Sequence, residues 1–241
     1  MNKINELIKY IKESKKTVIF TGAGVSTPSG LQDFRSKDGI YQEIWDYPPE
    51  EILSHSFFMN NTDYFYDFYK KKLNSLEYKP NIIHETMKKM QDNNLLSSVI
   101  TQNIDGFDLA IGINNVLELH GSVHRNYCMD CHKFYDGKKV FNSKGIPKCN
   151  CGGTIKPDVV LYEEPLDDNI TARAILEIAS CDLLIICGTS LQVYPAAFYV
   201  NYFRGKHMVL INRSATPYDK RADLVIYDEL DKVFKEINNK L

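Results

Sequence analysis

Val116-Leu117-Glu118-Leu119-His120-Gly121-Ser122 is the stretch on which the reading of this chain turns. An apolar run stops abruptly at a histidine and a glycine. Two upstream runs stop in the same manner: Thr17-Val18-Ile19-Phe20 leads into Thr21-Gly22-Ala23-Gly24, and Ser98-Val99-Ile100-Thr101 into Gln102-Asn103-Ile104-Asp105. Downstream, Leu183-Leu184-Ile185-Ile186-Cys187 ends in Gly188-Thr189-Ser190, Met208-Val209-Leu210-Ile211 in Asn212, and Leu224-Val225-Ile226 in Tyr227-Asp228. Apolar runs that end in small or polar residues and alternate with helical stretches describe an α/β fold with a mostly parallel sheet. Ligands of such sheets sit outside the carboxyl ends of the strands. These endings therefore gather around His120.

Composition narrows the class. The chain has 241 residues, 44% hydrophobic and 25% charged, which suits one generous domain or a large lobe carrying a small one. With 29 Lys+Arg against 31 Asp+Glu the net charge is −2, so there is no basic footprint for nucleic acid or a membrane surface. No apolar run approaches the roughly 20 residues that span a bilayer. The start, Met1-Asn2-Lys3-Ile4-Asn5-Glu6, lacks the apolar core of a signal peptide. A cytoplasmic monomer is the expectation.

Along the chain, Ile4, Leu7, Ile8 and Ile11 fall at helical spacing, so a first helix over 4–13 should pack on the sheet. After strand 17–21, Gly22 and Gly24 would let backbone N–H groups approach a phosphate at a helix start. The third glycine of a G-x-G-x-x-G fingerprint would fall on Thr27, and a tight turn that binds nothing is the competing reading. Residues 31–79 are dense in aromatics, from Tyr41 and Trp45 to Phe68 and Tyr69, without a strand pattern. They read as a helical insertion that caps the sheet, with most rings engaged in packing. Asp33 and Arg35 read as a local ion pair. Pro80 opens a helix of about 13 residues. Asp158-Val159-Val160-Leu161-Tyr162 reads as the return of the main sheet, a helix covers 168–180, and Pro195 opens another. Cys187 reads as a small core residue.

The cysteines argue for metal. Cys128-x2-Cys131, 17 intervening residues and then Cys149-x-Cys151 give four thiols in two close pairs. That set suits a closed tetrahedral Zn²⁺ site, structural because no position stays open. Metal binding would supply folding free energy to a short ribbon over 125–157 that has little core of its own.

Taken in order, these pieces resemble the sirtuin family of NAD-dependent protein deacylases. The resemblance is carried by Gly22-Ala23-Gly24-Val25-Ser26, Asp33-Phe34-Arg35, Thr101-Gln102-Asn103-Ile104-Asp105, Leu119-His120-Gly121 and the four cysteines. Gly188-Thr189-Ser190-Leu191, the stretch from Val193 to Pro195 and Asn212 complete it. It runs from about residue 15 to the C-terminus.

The resemblance implies a Rossmann-like large domain over residues 1–32, 80–122 and 158–241. A helical insertion at 33–79 and a zinc ribbon at 123–157 would form the small domain. NAD and an acyl-lysine peptide would meet in the cleft between them. Gly22, Ala23, Gly24, Ser26, Asp33, Phe34, Arg35 and Gln102 would line the NAD site. Asn103, Ile104 and Asp105 would surround the nicotinamide and its ribose, and Gly188, Thr189, Ser190, Asn212 and Asp228 would hold the adenosine half. His120 would be the general base, with Asn103 orienting the ribose or a water. Val160, Leu161, Tyr162 and Val193 would flank the acyl-lysine, and the peptide would add as a strand between 160–165 and 191–196. NAD is then a consumed co-substrate, leaving as nicotinamide and O-acyl-ADP-ribose.

Departures from the family pattern qualify the substrate. Glu163 stands in place of a glycine and Asp158 in place of an asparagine or histidine, both assigned to the peptide-binding loop. Phe107-Asp108 replaces a leucine-histidine pair. The tyrosine-x-x-arginine pair of succinyl-lysine-preferring relatives aligns with Tyr66 and Tyr69. With no arginine to pair a carboxylate, negatively charged acyl groups should be poor substrates, and acetyl or longer apolar chains suitable ones. Two other functions fit parts of the pattern. A mono-ADP-ribosyltransferase would need a nucleophilic acceptor, which the intact Asn103 and His120 disfavour. A non-catalytic zinc-ribbon binding module is disfavoured as a nucleic-acid reader by the near-neutral charge.

Overall fold

A computed structural model describes residues 2–241. Its centre is a six-stranded sheet in the order β3-β2-β1-β7-β8-β9, with every adjacent pair parallel. The strands are β1 (Thr17–Thr21), β2 (Ser98–Thr101), β3 (Val116–Glu118), β7 (Leu183–Cys187), β8 (His207–Asn212) and β9 (Leu224–Tyr227). β1, β2 and β7 are buried along their whole length, which explains their unbroken apolar runs: both faces are covered. One face packs on α1 (Lys3–Glu13), α5 (Ile82–Asp92) and α9 (Leu230–Lys240), through residues such as Leu7, Ile11, Met87, Val233 and Phe234. The other face packs on α8 (Asp168–Ser180) and a 3-10 helix over Ala196–Tyr202. The chain runs outward from β1 to β3 on one side and from β7 to β9 on the other. The order reverses between β1 and β7, the position at which such sheets hold ligands.

The helices form where the sequence places apolar stripes and caps. In α1, Ile4, Leu7, Ile8 and Ile11 are buried, and the Asn2 side chain accepts from the Ile4 amide. α5 begins later than Pro80 suggested. Asn81 is its cap, bonded by the Ile83 amide, while the His84 imidazole Nδ1 accepts from the Asn81 N–H. Proline therefore precedes the cap instead of occupying the first turn. The stretch after Pro195 forms the 3-10 helix and not an α-helix.

A second, antiparallel sheet has the order β5-β4-β6, from β4 (Gly121–Cys128), β5 (Phe134–Asp136) and β6 (Ile155–Val159), with the short α7 (Gly137–Phe141) beside it. It shares a core with α2 (Pro49–Ile52), α3 (His55–Asn60) and α4 (Thr62–Lys72), rich in Phe58, Phe65, Tyr66, Phe68 and Tyr69. The aromatic stretch is thus helical from Pro49 to Lys72, with its rings mainly in packing, whereas 31–48, expected to be helical too, is turns with one 3-10 helix at Ile40–Gln42.

One expectation fails here. Residues 158–162 do not return to the main sheet, because β6 pairs with β4 and Gly121 faces Val159. Gly121 has φ +74°, a left-handed turn that swings the chain out of β3, and a Cβ there would lie 1.9 Å from the Asp158 oxygen. The apolar pattern of 158–162 was consistent with either sheet. The turn at Gly121 decides between them.

Candidate active site

The carboxyl ends of the central strands open into a cleft of about 860 Å³ between the two sheets. It is lined by Gly22, Ala23, Gly24, Ser26, Asp33, Phe34 and Arg35 after β1, and by Gln102, Asn103, Ile104 and Asp105 after β2. His120 follows β3, Gly188, Thr189 and Ser190 follow β7, and Asn212 ends β8. Val160, Leu161, Tyr162 and Val193 line it as well.

At one end, the His120 Nδ1 lies 2.8 Å from the main-chain oxygen of Gln102. A carbonyl only accepts, so Nδ1 carries the proton and Nε2 is left as the basic nitrogen. Burial pulls the imidazole pKa below the ordinary histidine value, against the opposing pull of that carbonyl. His120 is therefore neutral and ready to accept a proton at neutral pH.

Beside it, Asn103 is nearly buried and donates through Nδ2 to the Gly22 oxygen at 3.1 Å and Ser26 Oγ at 3.2 Å. Ser26 Oγ in turn donates to Asp105 at 2.7 Å, and the Phe107 amide holds the other Asp105 oxygen. Burial raises the Asp105 pKa, and these hydrogen bonds oppose the rise.

Two contacts around the cleft were not legible in the sequence. His124, on β4, places Nε2 2.8 Å from the main-chain oxygen of Asp105, and its ring lies against Gly106, where a Cβ would come within 2.6 Å of it. Tyr41 bonds hydroxyl to hydroxyl with Tyr162 at 2.8 Å, and Arg35 donates to Tyr162 at 3.3 Å. Neither His124 nor Tyr41 belongs to a local motif. Each is set by a contact far along the chain.

The other half of the cleft fits a bound dinucleotide, on different terms from those the glycines suggested. The amides of Gly22 and Gly24 are spent on the Cys187 and Gly188 oxygens, and a Cβ on Gly24 would lie 2.7 Å from the Gly188 Cα. These glycines bring two loops together and do not donate to a ligand. Donors left without a protein partner, among the described residues, include the Ala23 and Ser190 amides and the buried Asn212 Nδ2. Asn212 Oδ1 is held by the Thr189 amide at 3.1 Å, which aims the free Nδ2. A buried donor without a partner is costly unless a ligand satisfies it.

Several residues make contacts other than those expected. Asp33 pairs with Arg213 at 3.7 Å and accepts from the Ser36 amide, so the expected Asp33–Arg35 pair is replaced. Asp228 is exposed and bonded to the Glu229 amide, and the following residues Glu229, Leu230 and Asp231 line the cleft in its place. Tyr66 and Tyr69 are buried in the small core and do not line the cleft. The Tyr66 hydroxyl donates to the Ile155 oxygen, and the Tyr69 hydroxyl has no partner among the described residues. Asp158 leaves the peptide loop for β6, where Arg125 bridges it at 2.7 Å and also reaches Glu118. Cys187 is fully buried, and burial pushes its thiol pKa up, as suits a core residue.

The cysteine cluster forms a second centre. The Sγ atoms of Cys128, Cys131, Cys149 and Cys151 all lie within 4.8 Å of one another, with Cys128–Cys151 and Cys131–Cys149 at 3.5 Å. Four thiolates bound tetrahedrally at about 2.3 Å would be roughly 3.8 Å apart, so the set is sized for Zn²⁺. The Tyr135 hydroxyl donates to Cys149 Sγ at 3.0 Å, an outer contact of the kind that steadies a ligand.

Residues 22–195 match the sequence profile of the Sir2 family. The chain belongs to the Sir2 family. A Clostridium perfringens protein named NAD-dependent protein deacetylase is 53% identical over 240 residues, covering 98% of each chain. A protein of the same name from Clostridium tetani is 48% identical over 246 residues, covering 100% of this chain and 99% of its own. Among solved structures, a Sir2 protein with a deacetylated p53 peptide and 3'-O-acetyl-ADP-ribose superposes with a TM-score of 0.91 at 33% identity, covering 98% of both chains. A Sir2 complex with p53 peptide and NAD⁺ gives 0.88 at 33% identity, again covering 98% of both. Among the described residues of this Sir2 chain, no helix is long and apolar enough to cross a membrane.

Proposed function

We propose that this Sir2-family chain is an NAD-consuming protein-lysine deacylase that yields nicotinamide, free lysine and O-acyl-ADP-ribose. The observation that carries the reading is the free Nε2 of His120, fixed by Gln102 at a strand end beside Asn103. NAD, when bound, supplies a glycosidic carbon from which nicotinamide can leave. Ala23 and Ser190 amides, Asn212 and Arg35 would hold it, and Asn103 and Asp105 would face its nicotinamide end. His120 Nε2 takes a proton from a ribose hydroxyl, so that the acyl group can pass to the sugar. Apolar walls from Phe34, Ile40, Leu53 and Leu161 keep bulk water from the reacting atoms.

The substrate peptide adds as a strand between two segments with unspent backbone groups. The Val160 oxygen and both main-chain groups of Glu163 have no protein partner, nor have those of Gln192 and Tyr194. That pattern is what β-augmentation requires. Acetyl and longer apolar acyl groups fit the walls, and anionic ones do not. Residues 1–32, 80–122 and 158–241 act as the nucleotide-binding domain against 33–79 and 123–157, with strand β6 straddling that division. Mass spectrometry of an acetyl-lysine peptide with and without NAD tests the reading. Deacetylation with O-acetyl-ADP-ribose supports it. Nicotinamide release with no loss of acetyl, or of a longer apolar acyl group on the same peptide, overturns it.

A further inference from the structure

The charges around the cleft are mostly paired. Asp33 faces Arg213, Lys72 faces Glu43, Glu164 faces Lys156 at 3.0 Å and His55 at 2.9 Å, and Glu229 faces Lys232 at 2.8 Å. Asp105 is buried and hydrogen-bonded. Among the described residues lining the cleft, this leaves Arg35, Asp231 and Glu163 without an opposite charge. Asp231 lies in the first turn of α9, away from the 160–165 segment in the chain. On the peptide side Glu163 carries an unbridged negative charge, for Arg35 reaches the Tyr162 hydroxyl at 3.3 Å and His55, which lies near enough to act on Glu163, is bridged to Glu164.

Its geometry is specific. Glu163 has φ +75°, a conformation that strains any residue with a Cβ. One carboxylate oxygen is pinned by the Ser56 amide at 2.8 Å and the Ser56 hydroxyl at 2.6 Å, so the charge is held in place, while the other oxygen is free. The side chain is exposed, and these bonds hold its pKa below the usual glutamate range. The main-chain N–H and C=O of the same residue are among the unspent groups at the peptide edge. A strand that pairs with Glu163 therefore passes beside a fixed negative charge.

We infer that Glu163 is a specificity-determining residue that selects acyl-lysines flanked by arginine or lysine. The inference rests on the deacylase reading for its consequence in catalysis. The side-chain entropy that usually weakens exposed ion pairs has already been spent on the Ser56 contacts, and the peptide's cation needs only to approach.

The test compares two acetyl-lysine peptides of equal length, one with arginine at the two positions on each side and one with glutamate there. kcat/KM is measured at low and high salt for wild type, Glu163→Gln and Glu163→Gly. Glutamine keeps an acceptor for Ser56 and removes the charge, while glycine also relieves the backbone. Wild type is expected to favour the arginine peptide by about five-fold or more at low salt, mainly through KM, with the ratio shrinking at high salt. In both variants the ratio should fall toward one. Equal use of both peptides by wild type, or a preference that survives Glu163→Gln, overturns the inference. If neither peptide is turned over, the deacylase reading itself fails. Fluorescence anisotropy of the same peptides, labelled, then decides Glu163 by the same ratio in Kd.

Discussion

His120 and Gln102 are joined by a 2.8 Å hydrogen bond from the imidazole Nδ1 to the main-chain oxygen, across two neighbouring strand ends. The bond fixes the tautomer and aims Nε2 into the cleft. His120→Ala is expected to cut kcat by about 10²- to 10⁴-fold, the usual contribution of a general base. Wild-type activity should rise with pH through an apparent pKa below about 6.5, because burial disfavours the imidazolium. A pH–rate profile with its midpoint at or above that value would contradict the assignment.

The metal prediction follows from one strand. β4 starts beside His120 and ends at Cys128, so the candidate zinc ligand and the proposed base share a continuous backbone. Purified protein should carry about one zinc per chain by elemental analysis. Cys149→Ser should lose it, and hydrogen exchange should then speed up across 121–159 together with loss of turnover. Retention of full activity without metal would show that the ribbon does not hold β4.

Tyr69 carries a buried hydroxyl with no partner among the described residues. Tyr69→Phe should therefore be neutral or stabilise by up to about 1 kcal/mol, whereas Tyr66→Phe should cost about 1 kcal/mol by leaving the Ile155 oxygen unpaired. Thermal denaturation separates the two. Neither change should alter the preference between acetyl and succinyl substrates, since neither ring lines the cleft.

Asp108 is buried, and burial first, then the nearby Asp105 and Glu118 charges, push its pKa up to about 8. Between about pH 4 and pH 8 the folded chain keeps a proton that the unfolded chain releases, so this group's contribution to stability falls as pH rises. Asp108→Asn should remove that slope. Its gain over wild type is expected to grow by about 1–3 kcal/mol from pH 5 to pH 8.5. An equal gain at both pH values would mean that Asp108 ionises normally.

Strand ends were readable because burial on both faces writes itself as an unbroken apolar run, and the polar residues that follow mark the cleft. The cysteine pairs were readable because metal geometry constrains local spacing. What the sequence concealed depends on contacts between distant segments. The pattern of 158–162 could not show that Gly121 would turn β4 toward it. Tyr66 and Tyr69 aligned with substrate-facing positions, yet α4 rotates both into the core. Asp33 found Arg213 instead of its near neighbour Arg35, and His124 reached Asp105 from another sheet.

The strand order carries a consequence for biosynthesis. β1 lies at the centre of the sheet, and its second edge is covered only by β7, where Thr17 pairs with Leu183. A nascent chain can close one side of β1 once β2 has emerged, but the other edge stays open until residue 187 has left the ribosome. Any product that stops short of Leu183 leaves an apolar edge uncovered, a template for aggregation.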